Sequence, residues 1–408
     1  MTSLLRAAGF VSSATSVSLF VACATNEPAL PPGDESVVMP PASTPDAADP
    51  ADAATDGPRS EDLDSGPCDD CAHFPETCTA DVLCTHPVVD TLARLHFIRG
   101  RSETDVWAAG AHGTLLHFDG TAWSPSNAGT NETIHSMWLR PSSEVSFVTL
   151  GSIYSRGISV PNAGAPSADG WTAQGVPDGA PFGYENSLQL EDTFAAPGAE
   201  WLWCATMDAY GFILPGFLGS GLWRLRVSPS TNALEADYAV PLSTCADYPC
   251  SSMTSVHGAS ADTLWAVGFK GATFRITDAQ GATPGIEQFN SQTWASLFGV
   301  WAAANDDVWS VGGAGAIRHY TGTGPAWDVV ADVPTTENLN GVWGSSSSDV
   351  WAVGDRGVVL HYDGKTWSRV NIAGLGLRRP NLYSVWAPSP GHVWIGGDGV
   401  LLSLGGKP

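Results

Sequence analysis

Histidines and paired acids are the side chains of this 408-residue chain best suited to acid–base work, and their spacing decides whether they do it. His117, His319 and His361 stand at one recurring position, each just before an aromatic residue, in LHF, RHY and LHY. A general base is needed once, whereas a side chain that packs or bonds within a repeat recurs with it, so these three read as structural. The acid pairs Asp306-Asp307 and Glu191-Asp192 would need a cleft and a raised pKa to act as acid and base. Beside apolar strands they read as turn formers and solvated charges. The chain has no H-E-x-x-H, no G-x-S-x-G, no Gly-rich phosphate loop and no basic aromatic stripe. No catalytic residue, metal site or cofactor is therefore expected.

The elements around these residues repeat. The unit NGVWGSSSSDVWAVGDRGVVLHYDGKTWS, Asn340–Ser368, recurs with drift from about residue 92 onward. Its clearest copies hold tryptophans eight residues apart: Trp301 and Trp309, Trp343 and Trp351, Trp386 and Trp394. Aligned on the second of each pair, Trp107, Ser146, Trp203 and Trp265 precede them, which makes seven copies at intervals of 39, 57, 62, 44, 42 and 43 residues. That is near the period of roughly 40–50 residues of four-stranded propeller blades. The turns SSSS, GDRG and DGK divide the unit into strands Asn340–Gly344, Asp349–Gly354, Val358–Tyr362 and Thr366–Asn371. The expected fold is all-β, a seven-bladed β-propeller of four-stranded antiparallel blades over residues 87–408. The last copy shows only three strands, so an N-terminal segment is expected to complete it, with Val88-Val89 within Pro87–Asp90 as the candidate.

The DVWAVG and HYDGKTW pattern resembles the bacterial propellers with Asp-box repeats. The Asp-box of the sialidase family reads S-x-D-x-G-x-T-W, whereas Asp363-Gly364-Lys365-Thr366-Trp367 and Asp119-Gly120-Thr121-Ala122-Trp123 lack the residue between Asp and Gly. The resemblance implies the fold and a turn joining strands three and four, away from any active site. A sialidase would also need three convergent arginines and a tyrosine activated by glutamate, and spacing reveals no such set.

Residues 1–22, with Arg6, the small and apolar stretch Ala7–Val21 and then Cys23, resemble a bacterial lipoprotein signal. The resemblance implies lipidation of Cys23, and Ala24 after it points to the outer membrane. Residues 23–67 are rich in Pro, Ala, Asp and Ser, with ten acids against the single base Arg59 from Ala24 onward. Such a segment cannot bury a core and reads as a disordered, extended tether. Residues 68–86 form a Cys-rich segment, CDDCAHFPETCTADVLCTH, that also holds His73 and His86. C-x-x-C and two histidines are compatible with zinc. Export, flanking Asp69 and Asp70, and the lack of a second C-x-x-C favour disulfides among Cys68, Cys71, Cys78 and Cys84, with the pairing open. Cys245 and Cys250 are a further candidate pair, which leaves Cys204 in EWLWCATM as a buried thiol.

Forty-two acidic and 18 basic residues give a net charge of −24, which excludes general binding to nucleic-acid backbones. The repeat is interrupted at Val176–Gln189, Asp208–Gly221 and Pro241–Met253, connections that all emerge on one face of a propeller. Phe212, Ile213, Leu214 and Phe217 in that sector are candidate partner-binding residues. The expected function is a monomeric, outer-membrane-anchored binding or assembly scaffold without catalysis. Its expected partners are proteins or glycans of the cell envelope, and the lipid is its only membrane attachment. An Asp-box-type, sialidase-like glycoside hydrolase and a structural envelope component are the alternatives.

Overall fold

A computed structural model of the chain describes residues 70–87, 93–159, 164–180, 188–208, 221–237, 240 and 252–407. Cys23, the tether, Cys68, Cys245, Cys250, Phe212, Ile213, Leu214 and Phe217 lie outside the described residues.

The repeat unit folds as its pattern dictates. Leu339–Ser346, Asp349–Gly354, Val359–Tyr362 and Trp367–Arg369 form a four-stranded antiparallel meander. The eight-residue spacing of tryptophans is the signature of its first hairpin: Trp343 faces Trp351 across the strand pair. Trp301 faces Trp309 and Trp386 faces Trp394 in the same way. Further four-stranded meanders begin at Leu95, Met253 and Leu297. Two more, Ser136–Gln174 and Leu188–Asp237, touch through the pair Gln189–Thr149. Ser146 occupies the tryptophan position of the former, opposite Met137.

The first strands of successive meanders pack side by side, and Leu95–Ser102 also packs against Leu382–Ser389, so the row closes on itself. An aromatic seam recurs at several of the junctions. Trp265 packs against Tyr320 and Trp327 of the following meander at 4.7 and 5.3 Å, and Trp309 against Tyr362 and Trp367 at 4.8 and 5.5 Å. Trp394 of the last meander meets Phe118 and Trp123 of the first at 5.5 and 5.1 Å. The contact that joins neighbours in the chain therefore also joins its two ends. Each of these tryptophans removes a large apolar surface from water, and this burial is the main favourable term holding the sheets face to face.

The last sheet is completed from the N-terminal side, as expected, but by an earlier segment. Leu83–Thr85 pairs antiparallel with Val400–Leu404 and parallel with Ile372–Ala373. Val88 and Val89, the residues expected in this role, lie outside the described residues. The added strand belongs to the Cys-rich segment, where Cys84 is disulfide-bonded to Cys78. Upstream, Asp70 is bound by Arg379, and Phe74 lies 3.6 Å beneath the Arg379 guanidinium carbon. Among the described residues no helix is long and apolar enough to cross a membrane.

Candidate functional site

The first strand of each meander lines the axis of the closed row, and most of these strands break register at the same place. The breaks fall at His96, Glu191, Thr254, Phe298, Asn340 and Tyr383. An unpaired residue in a ladder bends the strand and re-aims its side chain. All six line one narrow space of about 70 Å³, together with His135. The backbone feature repeats, while the chemistry it presents differs from strand to strand.

This space is where Glu191 and Asp192 lie, on the strand Leu188–Phe194. The expectation of solvated turn formers is thus corrected for this pair. The break between Leu190 and Asp192 lets two adjacent acids share one cavity, which strict alternation would forbid. Burial, followed by the neighbouring Asp192 charge, pushes the Glu191 carboxyl up to about 7. Asp192 is also raised by burial, against the opposing pull of Arg99 and of hydrogen bonds. It accepts them from Ser255 Oγ at 2.7 Å, Val256 N–H at 3.2 Å and Thr193 N–H at 2.9 Å. Burial lowers His96 to about 4 and His257 to about 3, so both imidazoles are neutral at pH 7. His257 Nδ1 accepts the Ala302 N–H at 3.1 Å, which places any ring proton on Nε2.

On its other side the channel widens to a cavity of about 900 Å³ walled by Trp138, Phe194, Trp343 and Trp386. Arg99 lines both spaces and stands at the waist between them. Its Nη1 donates to Ile98 O at 2.7 Å, Val385 O at 2.9 Å and Ser384 Oγ at 3.1 Å, and its guanidinium carbon lies 4.2 Å from the Trp343 ring centre. Burial lowers its pKa to about 10, which leaves it cationic at neutral pH. Arg101 is held by Asp105 at 2.6 Å and Glu144 at 2.7 Å. Arg140 lies over Trp138 at 5.0 Å and donates to Ser143 Oγ at 3.5 Å. The mouth is rimmed by first-to-second strand turns, including Pro141 and Ala195–Ala199. The interruptions of the repeat fall in connections at the opposite ends of the strands.

The recurring histidines have a common structural role. Nε2 of His117, His319 and His361 bonds the aspartate that opens the preceding strand, Asp105, Asp307 or Asp349, at 2.9, 2.7 and 2.7 Å. Each ring stacks on the tryptophan opposite it, Trp107, Trp309 or Trp351, at 4.3, 3.8 and 4.3 Å. Asp307, half of the pair with Asp306, is thereby committed to structure. The Asp-box-like turns are structural as well: Asp363 Oδ1 accepts the N–H groups of Lys365 and Thr366, each at 2.9 Å. Asp119 does the same for Thr121 and Ala122, and the Thr121 hydroxyl, the strongest contributor, helps to hold its pKa at about 2.

Cys71 is disulfide-bonded as well, and Cys204 is a buried free thiol. Among the described residues no cluster of His, Cys, Asp and Glu could hold a metal ion. Arg99 and Trp138 escaped the sequence reading, in which Trp343 and Trp386 served only as markers of the repeat. The available signal was that Arg99 stands where other copies place Trp301, Trp343 or Trp386, a full charge in a column of mostly aromatic residues.

No family model matches the chain, and no curated protein does. Solved structures share its fold. YCF48 bound to D1 peptide is 17% identical over 81% of this chain and 97% of that one, with a TM-score of 0.56. The extracellular domain of a hybrid two-component system from B. thetaiotaomicron is 13% identical over 80% of this chain and 40% of that one, at 0.52. The WD40 β-propeller domain of Doa1 is 11% identical over 80% of this chain and 96% of that one, at 0.53. The fold shared with these structures is the β-propeller.

Proposed function

We propose that this chain is a lipid-anchored, extracytoplasmic β-propeller of seven blades that binds a polypeptide segment at the wide mouth of its channel and acts as a scaffold. The observation that carries this reading is the aromatic cavity of about 900 Å³, within the range of about 300–1,000 Å³ typical of ligand sites. Its wall offers large apolar surfaces, and its acids are already engaged. Asp105 is held by Arg101 and His117, and Asp192 by Ser255 and two backbone N–H groups. A sialidase-like hydrolase fits less well. Arg101 is tied to two carboxylates, and Tyr383 Oη donates to Asp398 at 3.2 Å instead of facing a glutamate. The peptide on YCF48 and the extracellular setting of the two-component-system domain accord with the reading.

Trp294 and Leu377, each 87% exposed, lie in connections between meanders on the side of the interruptions. They favour a second contact surface there, and Phe212, Ile213, Leu214 and Phe217 are proposed to serve it.

Ala196→Trp tests the principal reading, because it obstructs the mouth without touching the aromatic seams. Partners retained by the wild-type domain from solubilised envelopes should be lost at an unchanged melting temperature; undiminished retention would remove the cavity from consideration. For the anchor, Cys23→Ser should abolish acyl labelling and release the protein from membranes. Persistent labelling would rule out lipidation at Cys23.

A further inference from the structure

We infer that the wide cavity receives the free C-terminal carboxylate of an apolar polypeptide end, and that Arg99 is its anchor. This rests on the reading of the cavity as a polypeptide site and names the chemistry that site selects. Arg99 lines both the wide cavity and its narrow continuation, so it forms the floor. A group that reaches the floor enters end-on along the channel, as a chain terminus does and the middle of a strand does not.

The bonding of Arg99 points the same way. Only Nη1 is engaged, by two carbonyls and Ser384 Oγ, while Nε and Nη2 have no hydrogen-bond partner among the described residues. A guanidinium with those donors free presents a fork that matches a carboxylate, and Trp343 behind it holds the plane in place.

Charge completes the case. In a chain of net charge −24 the three arginines of this cavity are a local exception. Arg101 is offset by Asp105 and Glu144, but Arg99 and Arg140 have no ion-pair partner among the described residues. Asp192, the acid whose charge acts on Arg99, is itself raised by burial and already accepts three hydrogen bonds. The floor therefore favours an anion, while Trp138, Phe194 and Trp386 around it favour apolar side chains. A glycan would need acceptors for its hydroxyl hydrogens, and the wall's carboxylates are spent on arginine, histidine, serine and backbone donors.

The test uses the full-length protein, immobilised, and two libraries of N-acetylated random hexapeptides that differ only in a free or an amidated C terminus. Wild type should retain the free acids about tenfold better than the amides, and the retained set should be rich in apolar residues. Arg99→Met should erase the preference, and Arg99→Lys should restore part of it. If Arg99→Met does not fold, the acid–amide comparison on wild type decides alone. Equal retention of acids and amides would overturn Arg99 as anchor and leave the polypeptide reading in place. Retention of neither library, with 3′-sialyllactose retained instead, would overturn the polypeptide reading itself.

Discussion

Glu191 and Asp192 are adjacent in the chain, yet both line the same narrow space, because the strand that carries them breaks register between Leu190 and Asp192. A bulge has no residue signature of its own here, so the pair looked like any acidic turn. The histidines at 117, 319 and 361 were legible for the opposite reason: recurrence marks a structural role, and each proved to bond an aspartate and stack on a tryptophan. Glu191 yields a prediction whose sign is unusual for a carboxylate. Its folded pKa, about 7, lies above the ordinary glutamate value of 4.5. Between those values the folded chain binds more protons than the unfolded one, so this group costs stability as pH rises from about 4.5 to about 7. His96 and His257, lowered by burial to about 4 and about 3, act oppositely and add stability as pH rises toward 6.5, the ordinary histidine value. The difference between wild type and Glu191→Gln isolates the acid. Melting temperatures measured from pH 4 to 8 should coincide at the acid end and diverge toward neutrality, with the variant the more stable. Parallel curves would show that Glu191 ionises without penalty.

At the scale of the element, turns and hairpins were the most legible features, because each is a short pattern with its own physical cause. The turn between the second and third strands repeats a left-handed residue followed by glycine: Ala314 and Gly315 at φ 54° and 70°, Arg356 and Gly357 at 55° and 69°. Gly324 lies in a loop at the same φ of 70°, but with nothing within 4 Å of an added Cβ, whereas at Gly315 that atom would meet Thr335 O at 2.3 Å. Gly324→Ala should therefore cost only the left-handed strain, about 1–2 kcal/mol. Gly315→Ala should cost distinctly more by chemical denaturation, since backbone must move; equal losses would mean that the turn relaxes freely. The interruptions were equally visible in the sequence. The side on which the cavity opens was not, since that depends on which residues the first strands turn toward the axis.

Closure belongs to the whole molecule. The missing strand was predictable in kind, because an array of identical meanders leaves one sheet short. It was not predictable in place, because Leu83–Thr85 is too short to stand out from a Cys-rich segment. Leu83 is fully buried in the core of the last sheet. Removing residues 1–69 should leave the melting temperature nearly unchanged, while removing 1–86 should lower it by many degrees, since it strips that strand and exposes an edge. Indifference to the longer deletion would mean that the ring closes through its aromatic seams alone. A closed ring leaves two ends on which to receive a partner, and the central claim is that the aromatic mouth is the one used. Site-specific photocrosslinking on cells decides it most directly, with benzoylphenylalanine replacing Ala196 at the mouth or Leu377 on the opposite side. A polypeptide adduct formed from position 196, and mapped to a C-terminal peptide of the partner, is the result the structure predicts. Adducts from position 377 with none from 196 would contradict it.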